Sequence, residues 1–262
     1  MITKRGLNKR GQLMLFVIIA IVIIAIILLV VLLPKSNKTK IQEQITDPNA
    51  YLQDCINTQL EPIIDSISEQ GGYLDNNGLC IVHHSICRHY LCYQTVPYQT
   101  CINQEPLLQE HITNLIKTKL QQGIISGCIS KFSESARKKG YDISSCNSPS
   151  FSVNLTSGQV SIPFTCSMTL TKGQETNKFE KFNSVLNSPL YDFVSVVKEI
   201  INDEITKGDF DQVPYMLSHN WLSIEKFRTT DGSKIYTIKS NTNKEFVFAV
   251  RNNWMPPGVI PP

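Results

Sequence analysis

Eight cysteines, all at or after Cys55, restrict how this chain can fold more than any other feature of the sequence. An even set of cysteines confined to one part of a chain is typical of disulfide-braced domains in an oxidising compartment. We therefore expect the part of the chain that carries them to be exported and cross-linked. The expected disulfide residues are Cys55, Cys80, Cys87, Cys92, Cys101, Cys128, Cys146 and Cys166.

The predicted secondary structure suggests two pairings. Cys55 and Cys128 lie on the apolar stripes of two predicted helices, so a bridge between them is natural if those helices pack together; two buried free thiols are the alternative. Cys166 lies on the inward face of a predicted hairpin and Cys146 precedes its first strand, so these two residues fit a second bridge. Spacing alone does not fix the connectivity, because eight cysteines allow about 105 pairings.

An uninterrupted apolar run, Leu13–Leu33, precedes the cysteines and is 21 residues long. As a helix it would measure about 30 Å, the thickness of a bilayer core. It is longer than a secretory signal core and lacks a small-residue cleavage site, and the basic residues ahead of it favour a cytoplasmic N-terminus. The sequence thus predicts a single-pass cell-membrane protein with a basic cytoplasmic tail (1–12), a transmembrane helix (13–33), a polar stalk (34–46) and an extracellular domain (47–262).

The charge of the chain changes at the apolar run. The whole sequence has a net charge of +3. Without the four N-terminal cations, residues 34–262 hold 21 basic and 22 acidic residues, a net charge of −1. A nucleic-acid partner is therefore not expected. The expected partners are the lipid bilayer, other surface proteins and further copies of the chain.

Proline and glycine positions predict three helices in the extracellular part. Asp47-Pro48 begins the first, which ends at Gly71-Gly72; Glu105-Pro106 begins the second, which ends at Gly140; Ser188-Pro189 begins the third, which ends at Gly208. Proline at the first helical position and glycine just past the end is the common arrangement. Each segment also carries one apolar stripe.

Alternating apolar residues predict antiparallel strands around these helices. A hairpin is predicted over residues 151–170, with its turn at Ser157-Gly158 and with Pro163 indicating an edge strand. Three further strands are predicted near residues 222–227, 235–238 and 246–250. The predicted fold class is α+β, with an N-terminal transmembrane helix and about three helices packed on antiparallel sheet. A subdivision of the domain near residue 145 is possible.

The densest group of metal-ligating residue types lies between the first two predicted helices. Zinc could use these side chains, but the paired C-x2-C spacing is absent and the thiolates would have to stay reduced outside the cell. We therefore expect two local disulfides in the connection Cys80–Cys101. The metal candidates are Cys80, His83, His84, Cys87, His89 and Cys92.

No catalytic motif and no cofactor motif is recognisable, so an enzyme is not expected and no cofactor is implied. His111 and His219 stand alone in the sequence. Four acids near the end of the third predicted helix are interpreted as a solvated face: Asp203, Glu204, Asp209 and Asp211. Two N-x-T sequons make Asn37 and Asn154 candidate glycosylation sites.

The stretch KRGQ, residues 9–12, followed by the apolar run resembles the class III signal of archaeal pilins and archaellins. The resemblance implies cleavage after Gly11, with Gln12 as the new N-terminus. Met14 stands where archaellins usually carry a glycine. Pro34 and the polar stalk interrupt the chain where pilin helices usually continue into the head.

A second resemblance covers more of the chain. QGGY (residues 70–73), VPY (96–98), EP (105–106), CISKF (128–132) and EFVFAV (245–250) look like a group of single-pass exported archaeal proteins with the same KRGQ start. That group has no assigned activity, so the resemblance implies location and architecture only. The four-cysteine segment is an addition to its pattern.

These observations lead to three hypotheses. The first is a membrane-anchored cell-surface protein whose extracellular domain binds or scaffolds. The second is a pilin-like filament subunit processed after Gly11. The third is an exported metal-dependent enzyme that uses the Cys/His segment.

Overall fold

A computed structural model describes residues 19–23, 47–144, 146 and 148–253. The chain divides into two compact units, residues 1–46 and 47–262. In the first unit, residues 19–23 are helical. The candidate residues Gly11, Gln12 and Asn37 and the predicted stalk lie outside the described residues. Everything below concerns the second unit, from Asp47 onward.

Five α-helices lie within the described part of residues 47–253. The α-helices are α1 (Pro48–Glu69), α2 (Leu108–Lys119), α3 (Ile125–Lys138), α4 (Leu190–Lys207) and α5 (Gln212–Ser218). Helix α2 continues through a π-helical turn, Leu120–Ile124, into α3.

The first predicted helix begins and ends at its local signals, and the third begins at Leu190, one residue after the predicted Pro189, and ends at the predicted Gly208. The Asp47 carboxylate caps α1, accepting hydrogen bonds from the backbone N–H groups of Asn49 (2.9 Å) and Ala50 (3.2 Å). At the C-terminal end of α1, the Gly72 N–H donates a hydrogen bond to the Ile67 carbonyl at 2.8 Å. Helix α4 ends at Gly208, whose φ of 81° is readily adopted by glycine.

The second predicted helix is broken. It begins at Leu108 rather than at Pro106, and the π-helical turn separates α2 from α3. Gly123 adopts a φ of 113° inside that turn, a conformation that interrupts regular helix. The break was not predicted, because a single glycine within an otherwise regular apolar helical pattern is compatible with a continuous helix.

The first sheet has six strands in the order β1-β2-β11-β10-β9, with β3 paired to β2. Strands β2 and β11 run parallel and the other neighbours run antiparallel. The turn between β1 and β2 places His84 (φ 51°) and Ser85 (φ 66°) in left-handed conformations, as a tight hairpin requires. The strands are β1 (Cys80–His83), β2 (Ile86–Tyr93), β3 (Ile102–Asn103), β9 (Leu222–Arg228), β10 (Ser233–Ser240) and β11 (Glu245–Arg251).

The second sheet has five strands around β7, which pairs with all four others. The strands are β4 (Asp142–Ser144), β5 (Ser150–Phe151), β6 (Asn154–Thr156), β7 (Gln159–Lys172) and β8 (Glu175–Asn187). Pro163 lies inside β7, so its interpretation as an edge-strand residue was wrong. It is tolerated because the neighbouring chain is interrupted between β5 and β6, opposite the position that lacks an N–H.

Two helices pack against both sheets and unite them in one core. Helix α1 contacts β8 and β11, and α4 contacts β2, β3, β6 and β7. Asn57 on α1 donates its side-chain amide to the Val185 carbonyl of β8 at 2.8 Å. The side chains of Leu52, Ile56 and Leu60 on α1 are completely buried.

The expected architecture is corrected in three respects. No helix of the described residues is long and apolar enough to cross a membrane, so the expected transmembrane helix at Leu13–Leu33 is not found. Only residues 19–23 of that run are described. The described residues of the domain form five α-helices instead of about three, and the first sheet is mixed instead of antiparallel, because β2 pairs in parallel with β11.

Four disulfides cross-link the domain and use all eight cysteines. Cys55–Cys128 joins α1 to α3, and Cys146–Cys166 fastens the segment after β4 to β7. The other two, Cys80–Cys87 and Cys92–Cys101, are local. Four disulfides in one domain indicate an extracellular or secreted protein.

Candidate functional site

A cleft of about 540 Å³ opens where four connections between secondary-structure elements meet. Its volume lies in the range of small-molecule binding sites. Its walls come from the β6–β7 turn, the start of α4, the residue before β9 and the β10–β11 turn. The lining residues are Ser157, Gly158, Asn187, Ser188, Pro189, Asp192, Trp221, Ser240, Asn241, Thr242 and Lys244.

One wall is a turn held against the first turn of a helix. Asp192 of α4 accepts a hydrogen bond from the Ser157 hydroxyl at 2.7 Å and one from the Gly158 N–H at 2.9 Å. Ser188 donates its N–H to the Gly158 carbonyl at 2.9 Å. The Ser188 hydroxyl also accepts from the Leu190 N–H at 3.3 Å. These bonds fix the β6–β7 turn relative to α4, so this wall is preformed.

The opposite wall places an indole beside the β10–β11 turn. Trp221 is partly exposed, and its carbonyl accepts from the Asn241 N–H at 3.2 Å. The hydroxyls of Ser240 and Thr242 are hydrogen-bonded to each other at 2.7 Å, and Ser240 N–H donates to the Lys244 carbonyl at 2.9 Å. The turn is therefore ordered by its own hydrogen bonds, and it fixes the backbone of Trp221.

Three polar side chains of the cleft have no hydrogen-bond partner among the described residues: the indole N–H of Trp221 and the amides of Asn187 and Asn241. Asn187 and Asn241 are exposed. Each amide offers two donors and a carbonyl acceptor. These groups are free to bind a ligand without breaking a bond within the protein.

The two ionisable residues of the cleft are already engaged. Lys244 lies 2.8 Å from a carboxylate oxygen of Glu61 and 2.9 Å from one of Asp65. Partial burial acts to lower the pKa of Lys244, but hydrogen bonds to those two carboxylates outweigh it and raise the pKa. Asp192 uses both carboxylate oxygens in the bonds described above. The cleft thus presents mainly neutral groups.

The Cys/His segment is part of the first sheet and was wrongly interpreted as a connection without a core of its own. Cys87, Tyr90, Leu91 and Cys92 are buried on β2. The four cysteines of the segment are in disulfides, as expected, and therefore hold no free thiolate. In the described part of the chain, no three His, Cys, Asp or Glu side chains are arranged to hold a metal ion.

The histidines of that segment point to different surroundings. The rings of His83 and His84 lie 4.0 Å apart at the β1–β2 turn, where burial, followed by the charges of His84 and Arg88, lowers the pKa of His83. His89 is buried, and its Nε2 lies 2.8 Å from the Asp75 carbonyl. The six metal candidates therefore do not converge on one site.

Two of the motifs quoted for the archaeal resemblance touch each other. The Tyr73 hydroxyl of QGGY donates to a carboxylate oxygen of Glu105 in EP at 3.1 Å. Burial, followed by the charge of Glu105 and this bond, raises the pKa of Tyr73 to about 12. The Tyr73 ring lies between His89 and His111, with centroids 4.1 Å and 4.6 Å away. These motifs join the end of α1 to the start of α2.

The remaining candidate residues lie outside the lining of the cleft, in contacts with neighbouring residues or at the surface. His219 stacks on Tyr215 with ring centroids 4.1 Å apart, and Asp211 caps α5 by accepting from the Val213 N–H at 3.1 Å. Asp203 pairs with Lys207 on the surface of α4 at 2.9 Å. Asn154 is exposed on β6, so its sequon is accessible.

Glu204 was wrongly interpreted as part of a solvated acidic face. Its side chain is completely buried and pairs with Lys234 of β10 at 2.7 Å. Its burial could have been predicted from the helical spacing, because Glu204 follows Val197 and Ile201 on the buried stripe of α4. The cleft had no comparable signal, because its residues come from separate turns of the chain.

Comparisons with protein-family models, curated proteins and solved structures gave no match to this chain. The cleft and the chemistry of its residues therefore carry the functional argument.

Proposed function

We propose that this protein is an exported cell-surface binding protein, attached to the membrane through its N-terminal segment, whose ligand site is the cleft beside Trp221. The observation that carries the proposal is a preformed cleft in which an indole and two amides have no hydrogen-bond partner among the described residues. A binding site needs such groups positioned before the ligand arrives.

The cysteines and the N-terminal sequence support the location. Four disulfides favour an oxidising environment for residues 47–253. The apolar run at residues 13–33, with basic residues ahead of it, favours retention at the membrane with the N-terminus on the cytoplasmic side. Membrane lipid is then one partner, and other surface molecules are reached through the domain.

The chemistry of the cleft favours binding over catalysis. A general acid or base needs a titratable side chain that is free to exchange a proton with the ligand. Both ionisable residues of the lining, Asp192 and Lys244, are engaged in bonds that hold the walls together. Their bonds make the site rigid, which suits recognition.

The location is tested by labelling intact cells with a membrane-impermeant amine reagent and mapping the modified lysines by mass spectrometry. Lys178, whose side chain is 60% exposed, should be modified without lysis. Lys234, which is only 4% exposed, is the internal control and should stay unmodified. Modification of Lys178 only after lysis would contradict the proposed orientation.

The binding role is tested by mixing the detergent-solubilised full-length protein with washed cell envelopes and measuring how much sediments with them. Trp221→Ala should reduce the sedimented fraction, because it removes the apolar wall of the cleft. Asn177→Ala, an exposed change on β8 outside the cleft, is the matched control. Equal retention of both variants would contradict binding at the cleft.

A further inference from the structure

The charges around the cleft disfavour an ionic ligand. An anion would meet the Asp192 carboxylate at the start of α4, and Lys244 is already paired with Glu61 and Asp65. A cation would compete with the two hydrogen bonds that Asp192 accepts from the β6–β7 turn. A neutral ligand leaves all of these bonds in place.

The lining also disfavours a purely apolar ligand. Such a ligand would cover the indole N–H of Trp221 and the amides of Asn187 and Asn241 without giving them partners. Leaving buried donors and acceptors unpaired is costly. The ligand must therefore combine an apolar face, to pack on the indole, with groups that both donate and accept hydrogen bonds.

The shape of the walls disfavours a peptide. Peptides are commonly recognised along a free strand edge or in a groove between helices. The walls here are turns and the segments that lead into α4 and β9, so they offer neither a row of unpaired strand groups nor a helical groove.

We infer that the cleft binds a neutral saccharide, with one sugar ring packed on Trp221 and its hydroxyl groups hydrogen-bonded to Asn187 and Asn241. Sugar hydroxyls both donate and accept, which matches the carboxamide groups, and the C–H face of a ring is apolar enough to lie on an indole. The inference rests on the proposed function, because it names the ligand class of the same cleft.

The saccharide has two possible sources, an envelope glycan or a glycan on this chain. The sequon residue Asn154 is exposed on β6 and lies three positions before Ser157 of the cleft wall. Three residues of extended strand span about 10 Å. A glycan at Asn154 of this copy or of a second copy would therefore be close to the cleft.

The test uses the full-length protein in detergent with Trp254→Phe, so that Trp221 is the remaining tryptophan of the two. Its fluorescence is titrated with neutral gluco-, manno- and chito-oligosaccharides and with the neutral glycans released from the cell envelope. A uronic-acid trisaccharide and a neutral Gly-Ser-Asn peptide serve as the charged and peptide probes. At least one neutral saccharide should give a saturable change in Trp221 emission.

Asn241→Ala keeps the reporter and should weaken that binding by roughly tenfold or more, whereas Asn177→Ala should leave it unchanged. Asn154→Gln separates the two sources. If the chain's own glycan occupies the cleft, protein from the native cells shows a shielded Trp221 that becomes accessible to acrylamide in this variant. If an envelope glycan is the ligand, Asn154→Gln has no effect on Trp221.

The outcomes separate the ligand class from the binding function. A response to the peptide or the uronic-acid probe, with none to any neutral saccharide, overturns the saccharide inference and leaves the binding function in place. No response of Trp221 to any probe or to whole envelopes overturns both.

Discussion

The ammonium group of Lys234 lies 2.8 Å and 2.7 Å from the two carboxylate oxygens of Glu204, in the interior of the domain. Glu204 is also hydrogen-bonded by the Tyr236 hydroxyl. The same ammonium group contacts the Gly208 carbonyl at 3.1 Å and Asp209 at 2.7 Å. Burial, followed by the charge of Glu204, raises the pKa of Tyr236. This network ties β10 to the end of α4.

Lys234→Met should destabilise the domain because it leaves Glu204 buried without its ammonium partner. Removing one member of a buried pair costs about 3–5 kcal/mol, whereas replacing both members by apolar residues is often neutral or stabilising. Adding Glu204→Leu to Lys234→Met should therefore recover stability. The free energy of unfolding, measured by urea denaturation of the full-length protein, checks both expectations.

The matched control is Lys239→Met on the same strand. Lys239 pairs with Glu225 at 3.0 Å, with side chains 40% and 67% exposed. An exposed pair is worth about 1 kcal/mol or less, so this change should have a small effect. A double variant no more stable than Lys234→Met alone would contradict the account of the buried pair.

Asp209→Asn should destabilise the protein at neutral pH and much less in acid. Burial acts to raise the pKa of Asp209, but hydrogen bonds from Lys234 and Lys226 outweigh it and hold the pKa below the usual value of 3.8. A carboxylate with a depressed pKa stabilises the fold above its unfolded pKa, and this contribution is lost as the pH falls through the folded pKa. Urea denaturation at pH 7 and pH 2 measures the difference between variant and wild type. The same difference at both pH values would exclude this role for Asp209.

Gly72→Ala should cost more than Gly140→Ala, although both glycines follow a helix with positive φ, 98° and 82°. A Cβ at residue 72 would lie 2.6 Å from Leu108 Cδ1, whereas one at residue 140 would meet nothing within 4 Å. Gly140→Ala should cost about 1–2 kcal/mol for the left-handed conformation, and Gly72→Ala a further 1–3 kcal/mol for overpacking. Thermal unfolding of the two variants gives the comparison, and equal costs would show that Leu108 moves aside freely.

Loss of the Cys55–Cys128 disulfide should destabilise the domain more than loss of Cys80–Cys87. The two bridges close sequence separations of 73 and 7 residues. The chain-entropy argument gives a difference of about 2 kcal/mol in favour of the longer loop. Unfolding free energies of the paired Cys→Ala variants test this. A larger loss from the Cys80–Cys87 variant would mean that native-state packing at β2 outweighs loop closure.

The helices could be predicted where their signals are local. Asp47 caps α1 with its own side chain, Ser188 and Pro189 come directly before α4, and Gly208 ends α4. The short α5 was missed because seven residues carry too little apolar periodicity to stand out. Three strand segments after α4 were also predicted, because apolar residues recur within each of them and two clear turn sequences separate them.

The rest depends on contacts between distant parts of the chain. Strand β2 was missed because its parallel partner, β11, lies near the other end of the sequence, and residues such as Arg88 and His89 concealed its buried character. The helical spacing placed Glu204 on the buried stripe of α4, but its partner Lys234 lies 30 residues further along the chain and could not be assigned to it from the sequence. The cleft forms where separate turns meet, so no single stretch of sequence predicts it.

The most direct test of the cleft as the binding site is ¹⁹F NMR of the full-length Trp254→Phe protein labelled with 5-fluorotryptophan. Trp221 then gives a single resonance, which is recorded before and after addition of native envelope extract. We expect this resonance to shift, and we expect Asn241→Ala to reduce the shift greatly and Asn177→Ala to leave it intact. An unchanged Trp221 resonance under conditions in which the protein binds the extract would contradict the account, because the ligand would then be held elsewhere.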